Sequence, residues 1–163
     1  MPEVVHPETL PDFKTRMEPY KHLLGEWYDR PRPIDIRYAS GDPISRDAEP
    51  SLTQQVWLRA DGVLPDDPTL HACIVTYASD MTLLDTTTLP HGVRWNDSSI
   101  QMASLDHAMW FHRPFRADDW LLYDQITPST SNARGLAAGS IYTHDGHLAI
   151  SVVQEGLIRR ERT

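Results

Sequence analysis

The chain has 163 residues, 40% of them apolar and 23% charged, with a formal charge of −8 at neutral pH. That length supports one domain with its own core, and the acidic balance argues against a general binder of nucleic acid or anionic membranes, which presents a basic face. The single cysteine, Cys73, permits neither an internal disulfide nor a zinc site, which points to a reducing, cytoplasmic setting.

In chain order, the opening "MPEVVHPETL" lacks a basic-then-apolar leader pattern, and no apolar run in the chain reaches the ~18 residues of a membrane span. Eight of the thirteen prolines fall within residues 1–50, so residues 1–33 read as an arm or linker. Short helical turns are expected in "FKTRMEPYKHLLGEWYDR", broken at Pro19, and weak order is expected unless the arm finds a surface to pack on. A domain over 34–163 follows. "PIDIRYA" and "LTQQVWLRA" read as strands from their β-branched and aromatic content.

Next comes a long helix. Asp67 can cap it, Pro68 suits its first turn, and Leu70, Cys73, Ile74, Tyr77, Met81 and Leu84 recur at helical spacing. Pro90 and Gly92 end it by about Leu89. Four strands are expected after it: "SSIQMASLDHAMWFH", "DWLLYDQITP", "ARGLAAGSIYTH" and "HLAISVVQEGLIR". Asp145-Gly146 joins the last two as a hairpin. One apolar helix and this many strands predict an α+β fold with a curved antiparallel sheet around the helix.

Three polar residues interrupt apolar patterns. Asp80 shares helical spacing with Cys73, Tyr77 and Leu84, which places it on the apolar stripe. Ser104 alternates with Met102 and Asp106 on a strand whose two faces both read as covered, and Gln154 continues the face of Ile150 and Val152. Each has a plain explanation: a solvated carboxylate, a small packed hydroxyl, a satisfied amide. Together they form a carboxylate, a hydroxyl and an amide able to hold one water, with Asp80 as general base. A bulge in either strand overturns these parities.

Other chemistry fits less well. In "SLDH" a regular strand sends Ser104 and His107 to opposite faces, which excludes a Ser-His-Asp triad there, and no G-x-S-x-G elbow is present. His107 and His112 do not form a metal pair for the same reason of parity, His91 reads as a turn residue, and Cys73 reads as a small core residue. No glycine-rich phosphate loop follows a strand; Gly135 and Gly139 read as bulge or close-packing positions. Arg113, Arg116, Arg134, Arg159 and Arg160 read individually as surface charge, while two or three together can bind a phosphate.

Long blocks of the sequence resemble the type II (TesB-like) acyl-CoA thioesterases. They are "VWLRADGVLPDDPTLHACIVTYASD", "SLDHAMWFHRPFRADDWLLY" and "ARGLAAGSIYTHDGHLAISVVQEGLIR", within a resemblance running from about residue 30 to the end. The resemblance implies a hotdog fold, with a long helix wrapped by an antiparallel sheet. It also implies hydrolysis of medium- to long-chain acyl-CoA to fatty acid and CoA by an activated water, with no metal, no cofactor and no acyl-enzyme. The family's Asp, Ser or Thr, and Gln fall on Asp80 ("YASD"), Ser104 ("ASLDH") and Gln154 ("VQEG"). Asp106 and His107 are supporting candidates behind that trio, and Arg113, Arg134 and Arg159 are weaker candidates for binding substrate.

Family members carry two hotdog halves, and this chain resembles the C-terminal half with the linker before it. A homodimer, or a complex with a separate N-terminal half, is therefore expected. The alternatives are a non-catalytic half that needs its partner to complete the channel and, last, a hydratase or dehydratase on the same fold.

Overall fold

The computed structural model describes residues 1–41, 49–93, 97 and 99–160. Two short helices, α1 (Phe13–Met17) and α2 (Lys21–Leu24), lie in the N-terminal arm. They are followed by β1 (Ile34–Tyr38), β2 (Thr53–Ala60) and the main helix α3 (Pro68–Ser79), then β3 (Ile100–Ser104) and β4 (Ala108–Phe111). The chain closes with β5 (Leu121–Ser131), β6 (Arg134–Thr143) and β7 (Leu148–Arg160). All strand pairs are antiparallel in the order β1-β2-β5-β6-β7-β3, with β4 also paired to β7. The strands expected from alternation are present as β1, β2, β5, β6 and β7. β5 and β6 meet at Asn132 and Ala133, both at positive φ (51° and 60°), as a two-residue hairpin prefers.

The core forms between α3 and the sheet face carrying Val56, Leu58, Tyr123, Ile141, Ile150 and Val152, each 2% exposed or less. Gly139 makes room for the Tyr123 ring of the neighbouring strand and Gly156 for Leu84 of the helical layer: a Cβ on either would lie 2.2 Å from Tyr123 Cε2 or Leu84 Cδ1 respectively. The expectation of close packing at Gly139 therefore holds, and Gly135, against Thr87, is similar.

α3 starts where the sequence places it, with the Asp67 carboxylate accepting from Thr69 N–H and Pro68 in the first turn. Its buried side differs from the expected stripe. His71, Val75, Ala78 and Ser79 face the sheet, whereas Tyr77 is 60% exposed and Cys73 is exposed. Cys73 is thus a surface residue, not a core one. Close approach favours the small side chains of Ala78 and Ser79 over the large apolar ones.

The helical segment also changes character. After Ser79 the chain turns and continues as a 3-10 helix, Leu84–His91, closed by Gly92 in the left-handed region. The threonines supply the reason: Thr87 and Thr88 hydroxyls donate to the carbonyls of Leu84 and Asp85, three residues back, in place of regular α-helical pairing.

The expected single strand over "SSIQMASLDHAMWFH" is two short ones at the sheet edge, and its faces are not both covered: Leu105, Trp110 and Phe111 are each about half exposed. Ser104 pairs with Gly156 and Ala108 with Val153, so one extra residue sits on this side. Leu105 N–H and Asp106 N–H both donate to Glu155 O (2.9 and 3.4 Å), the mark of a bulge.

The arm does find a surface. Trp57 Nε1 donates to Val5 O and Trp120 Nε1 to Glu8 Oε1, while Val4 and Leu10 pack on Trp57, Trp120 and Leu122, across the sheet from α3. Met17 and Tyr28 form a second small cluster with Phe13, Tyr20 and Leu24.

Candidate functional site

Asp80 is the residue that ends α3, its backbone N–H donating to Ala78 O. Its side chain is 57% exposed, so the expected burial on the helix stripe is corrected: the carboxylate stands at the open end of the helix. Gln154, on the α3-facing side of β7, is 0% exposed. Its Nε2 donates to Asp80 Oδ1 (2.5 Å) and to Ser104 Oγ (2.9 Å), Ser104 being the last residue of β3. The three residues singled out in sequence therefore meet on one amide nitrogen.

The hydrogen-bond directions define what is left over. Ser104 Oγ accepts from Gln154, so its own hydrogen is free to donate. Gln154 Oε1 is buried with no partner. Asp80 Oδ1 carries all of that carboxylate's contacts among the described residues, leaving Oδ2 open. One acid oxygen and one hydroxyl hydrogen are available to a small polar molecule in the cavity, while the amide oxygen is left unpaired in the protein behind them.

The bulge brings a fourth group. His107 lies with Nε2 2.8 Å from Ser79 Oγ and Nδ1 3.8 Å from Asp80 Oδ1. The extra residue reverses the strand parity, so Ser104 and His107 both turn toward the end of α3, and the parity reason for excluding a Ser104–His107 pair does not hold. Their hydrogen bonds exclude it instead: Ser104 is bonded to Gln154 and His107 to Ser79. Asp106 acts on the backbone, its Oδ1 accepting from Glu155 N–H (2.7 Å), and so fastens the bulge that carries both residues.

A cavity of about 370 Å³ opens beside this cluster. Asp80, Ser104 and Asp85 line one side, and Phe13, Met17 and Trp27 of the arm line another. The sequence reading missed Asp85. Burial and the nearby charge of Asp80 push its carboxyl up to about 7, and no group among the described residues donates to it. Five residues separate Asp85 from Asp80, which is off-face in a regular helix; the turn and 3-10 segment bring it round. Arg32 was missed too: it lines the cavity stacked 3.4 Å from the Phe13 ring centroid and 4.0 Å from that of Trp27.

None of the other arginines lines that cavity. Arg113 donates to Leu148 O and lines a separate cavity of about 810 Å³ beside the start of α3. Arg134 pairs with Glu155 at 3.7 Å, and Arg159 stands opposite Gln101 near the end of β7. Arg116 is held by Asp66 and Asp118, whose carboxyl it draws down to about 2. Arg160 borders a small cavity with His91, whose ring bonds Thr130 Oγ1. His112 bonds Ser151 Oγ. Among the described residues no three His, Cys, Asp or Glu side chains gather into a metal-binding group.

Comparison with known proteins gives this geometry a setting. The profile of the family described as acyl-CoA thioesterase matches residues 41–157. The human acyl-coenzyme A thioesterase 8 is 37% identical over 98% of this chain and 53% of its own length. Acyl-CoA thioesterase 2 of Haemophilus influenzae is 31% identical over 98% and 57% respectively. The crystal structure of acyl-CoA thioesterase II TesB2 from Mycobacterium marinum superposes with a TM-score of 0.76 at 40% identity, covering 99% of this chain and 56% of that one. A hotdog-fold protein from Alicyclobacillus acidocaldarius, only 18% identical, superposes at 0.70 over 99% of this chain and 55% of its own, which identifies the fold alone as hotdog. The chain spans about half the length of these relatives. It belongs to the type II, TesB-like, acyl-CoA thioesterase family.

Proposed function

We propose that this chain hydrolyses medium- to long-chain acyl-CoA to free fatty acid and CoA, with Asp80 as general base toward a water held by Ser104 and Gln154. The observation that carries this reading is the shared Gln154 Nε2, which orients Asp80 and Ser104 while leaving Asp80 Oδ2, Gln154 Oε1 and the Ser104 hydrogen unused. Oδ2 takes the proton of the attacking water, and Gln154 holds in place the two groups that grip it. The Ser104 hydroxyl donates to the water oxygen and fixes its lone pair on the thioester carbonyl. The adjoining cavity, walled by Phe13, Met17 and Trp27, supports an apolar acyl chain. A reducing, cytoplasmic setting agrees with the lone Cys73.

Asp80→Asn tests the reading: kcat on acyl-CoA falls by roughly 10²–10⁴-fold, the contribution of a positioned base, with the fold retained. Turnover at the parent rate in a folded Asp80→Asn protein sinks it.

A second reading, a half that needs its partner to act, is favoured by the openness of the site. Asp80 is more than half exposed, and beside it the β3–β4 edge carries Leu105, Trp110 and Phe111 in the open, with Tyr77 on α3. An exposed apolar sheet edge of this kind calls for cover. We assign that cover to a second hotdog half, either another copy of this chain or a separate N-terminal half. Light scattering that finds a stable monomer at micromolar concentration rules the homodimer out. Assay of the purified chain on acyl-CoAs of graded length then separates a catalytic half from a silent one.

A further inference from the structure

The proton positions around His107 can be assigned from heavy-atom distances. Ser79 Oγ lies 2.8 Å from Thr76 O. Two oxygens that close need a hydrogen between them, the carbonyl has none to give, and the single Ser79 hydrogen is therefore spent there. His107 Nε2, 2.8 Å from the same Ser79 Oγ, must then be the donor of that second bond. With the proton on Nε2, the neutral ring carries a bare lone pair on Nδ1. Nδ1 is buried without a partner, and the charged group nearest to it is Asp80 Oδ1 at 3.8 Å. When Asp80 is ionised and ready to act as a base, two acceptors face each other with no proton between them.

We propose that His107 is the proton partner of Asp80: the proton taken from the attacking water is shared onto His107 Nδ1, held there, and returned to the departing CoA sulfur. The assignment rests on the hydrolytic reading of Asp80 above. In the forward step a water O–H bond breaks as its oxygen bonds the thioester carbonyl carbon. The proton passes to Asp80 Oδ2, and a turn of the exposed carboxyl brings that protonated oxygen to Nδ1, which takes the proton and gives an imidazolium held between Ser79 and Asp80. Collapse of the tetrahedral intermediate breaks the C–S bond, and the electron pair leaves on sulfur. The stored proton returns through Asp80 to that thiolate, leaving a carboxylic acid and free CoA thiol. The favourable His107–Asp80 contact thus exists only after proton transfer has begun, which is where an interaction accelerates the reaction. The titratable groups near the ring are Asp80 at the end of α3, Asp106 beside it on the bulge and Tyr123 on β5, whose hydroxyl donates to Ser79 O (3.4 Å), with Asp85 acting on Asp80 from the same cavity; the Glu155 side chain is paired with Arg134 instead.

His107→Gln is the informative variant, because its amide nitrogen can still donate to Ser79 Oγ while nothing basic remains at the Nδ1 position. The expected result is a kcat at least tenfold below the parent with KM within twofold, and a kcat–pH profile with one ionisation fewer. A merely structural His107 predicts parent kcat and profile in this variant, and that outcome overturns the proposal. Long-range proton–nitrogen NMR on the ring of the parent protein gives a readout independent of turnover and of the variant's folding. At the pH of full activity, or at neutral pH if the chain is silent, Nε2 carries the proton and Nδ1 is bare; a ring protonated on Nδ1 overturns the assignment. Asp80→Asn separates the two claims. If it turns over normally, the base assignment fails and takes this one with it; if it is inactive while His107→Gln is normal, only the proton partner fails.

Discussion

Two buried glutamines flank the segment after α3, and they are treated in opposite ways. Gln125, on β5, has both polar atoms bonded: its Oε1 accepts from Gln54 Nε2 and Thr86 Oγ1, and its Nε2 donates to Thr82 Oγ1. All four residues are 4% exposed or less. Gln154, on β7, is equally buried but spends both of its donated bonds on Asp80 and Ser104 and leaves Oε1 with nothing. The same side chain closes a dry network on one side and holds an open one on the other. A closed polar network fixes the position of the Thr82–Thr86 turn; an open one keeps capacity for a ligand that arrives later.

Breaking each network should therefore fail in a different measurement. The largest expected effect is on the closed side: Gln125→Ala strands Gln54 and two threonine hydroxyls in the core and costs about 3 kcal/mol of unfolding free energy. The urea midpoint reads this directly, and any fall in kcat should follow the fraction unfolded. Gln154→Ala should do the reverse. It lowers kcat on the order of 100-fold by releasing the Asp80 carboxylate and the water, with a smaller stability change because one of its polar atoms was already unpaired. Equal stability losses in the two variants, with equal effects on kcat, break the comparison. Ser104→Ala sharpens it at smaller size, about tenfold in kcat, since only one of the three groups around the water is removed.

How far this contrast was legible in the sequence depends on the residue. Asp80, Ser104 and Gln154 stood out because each interrupts an apolar pattern, and β1, β2, β5, β6 and β7 followed from alternation. Asp67-Pro68 marked the start of α3 and Asp145-Gly146 the last hairpin. The face of α3 was misread because hydrophobicity ranks Tyr77 above Ser79, while Ser79 is the one buried, bonded to Thr76 O and His107 at the end of the helix. The end of the α-helix at Ser79 was misread because apolar spacing runs on through Met81 and Leu84, while the Ser79 hydroxyl, bonded to Thr76 O three residues back, leaves no hydrophobic signature. The bulge after Ser104 depends on which β7 residue each edge residue meets, and strand alternation alone does not carry that. Arg32 and the arm's part in the cavity wall depend on where an irregular segment docks, which is a property of tertiary packing.

Asp85 carries the comparison one step further, since it is a part-buried polar group beside the open network to which no group among the described residues donates. In the folded chain its carboxyl holds its proton up to about 7, against an ordinary value of 3.8. Between those values the folded state binds more protons than the unfolded one, so this group's contribution to stability is complete below about 4 and is lost as pH rises to about 7. The loss is on the order of 1 kcal/mol once the partial exposure of the carboxyl is allowed for. Asp85→Asn keeps the shape and removes the charge, so the variant should gain on the parent steadily across that interval and stay ahead above it. Urea midpoints measured from acid to neutral pH read the difference, and parallel curves for the two proteins would mean that the carboxyl meets a donor after all. A widening gap, by contrast, identifies Asp85 as an acid that keeps its proton until the pH nears about 7. Asp85 then adds little negative charge beside Asp80, the group proposed as the base.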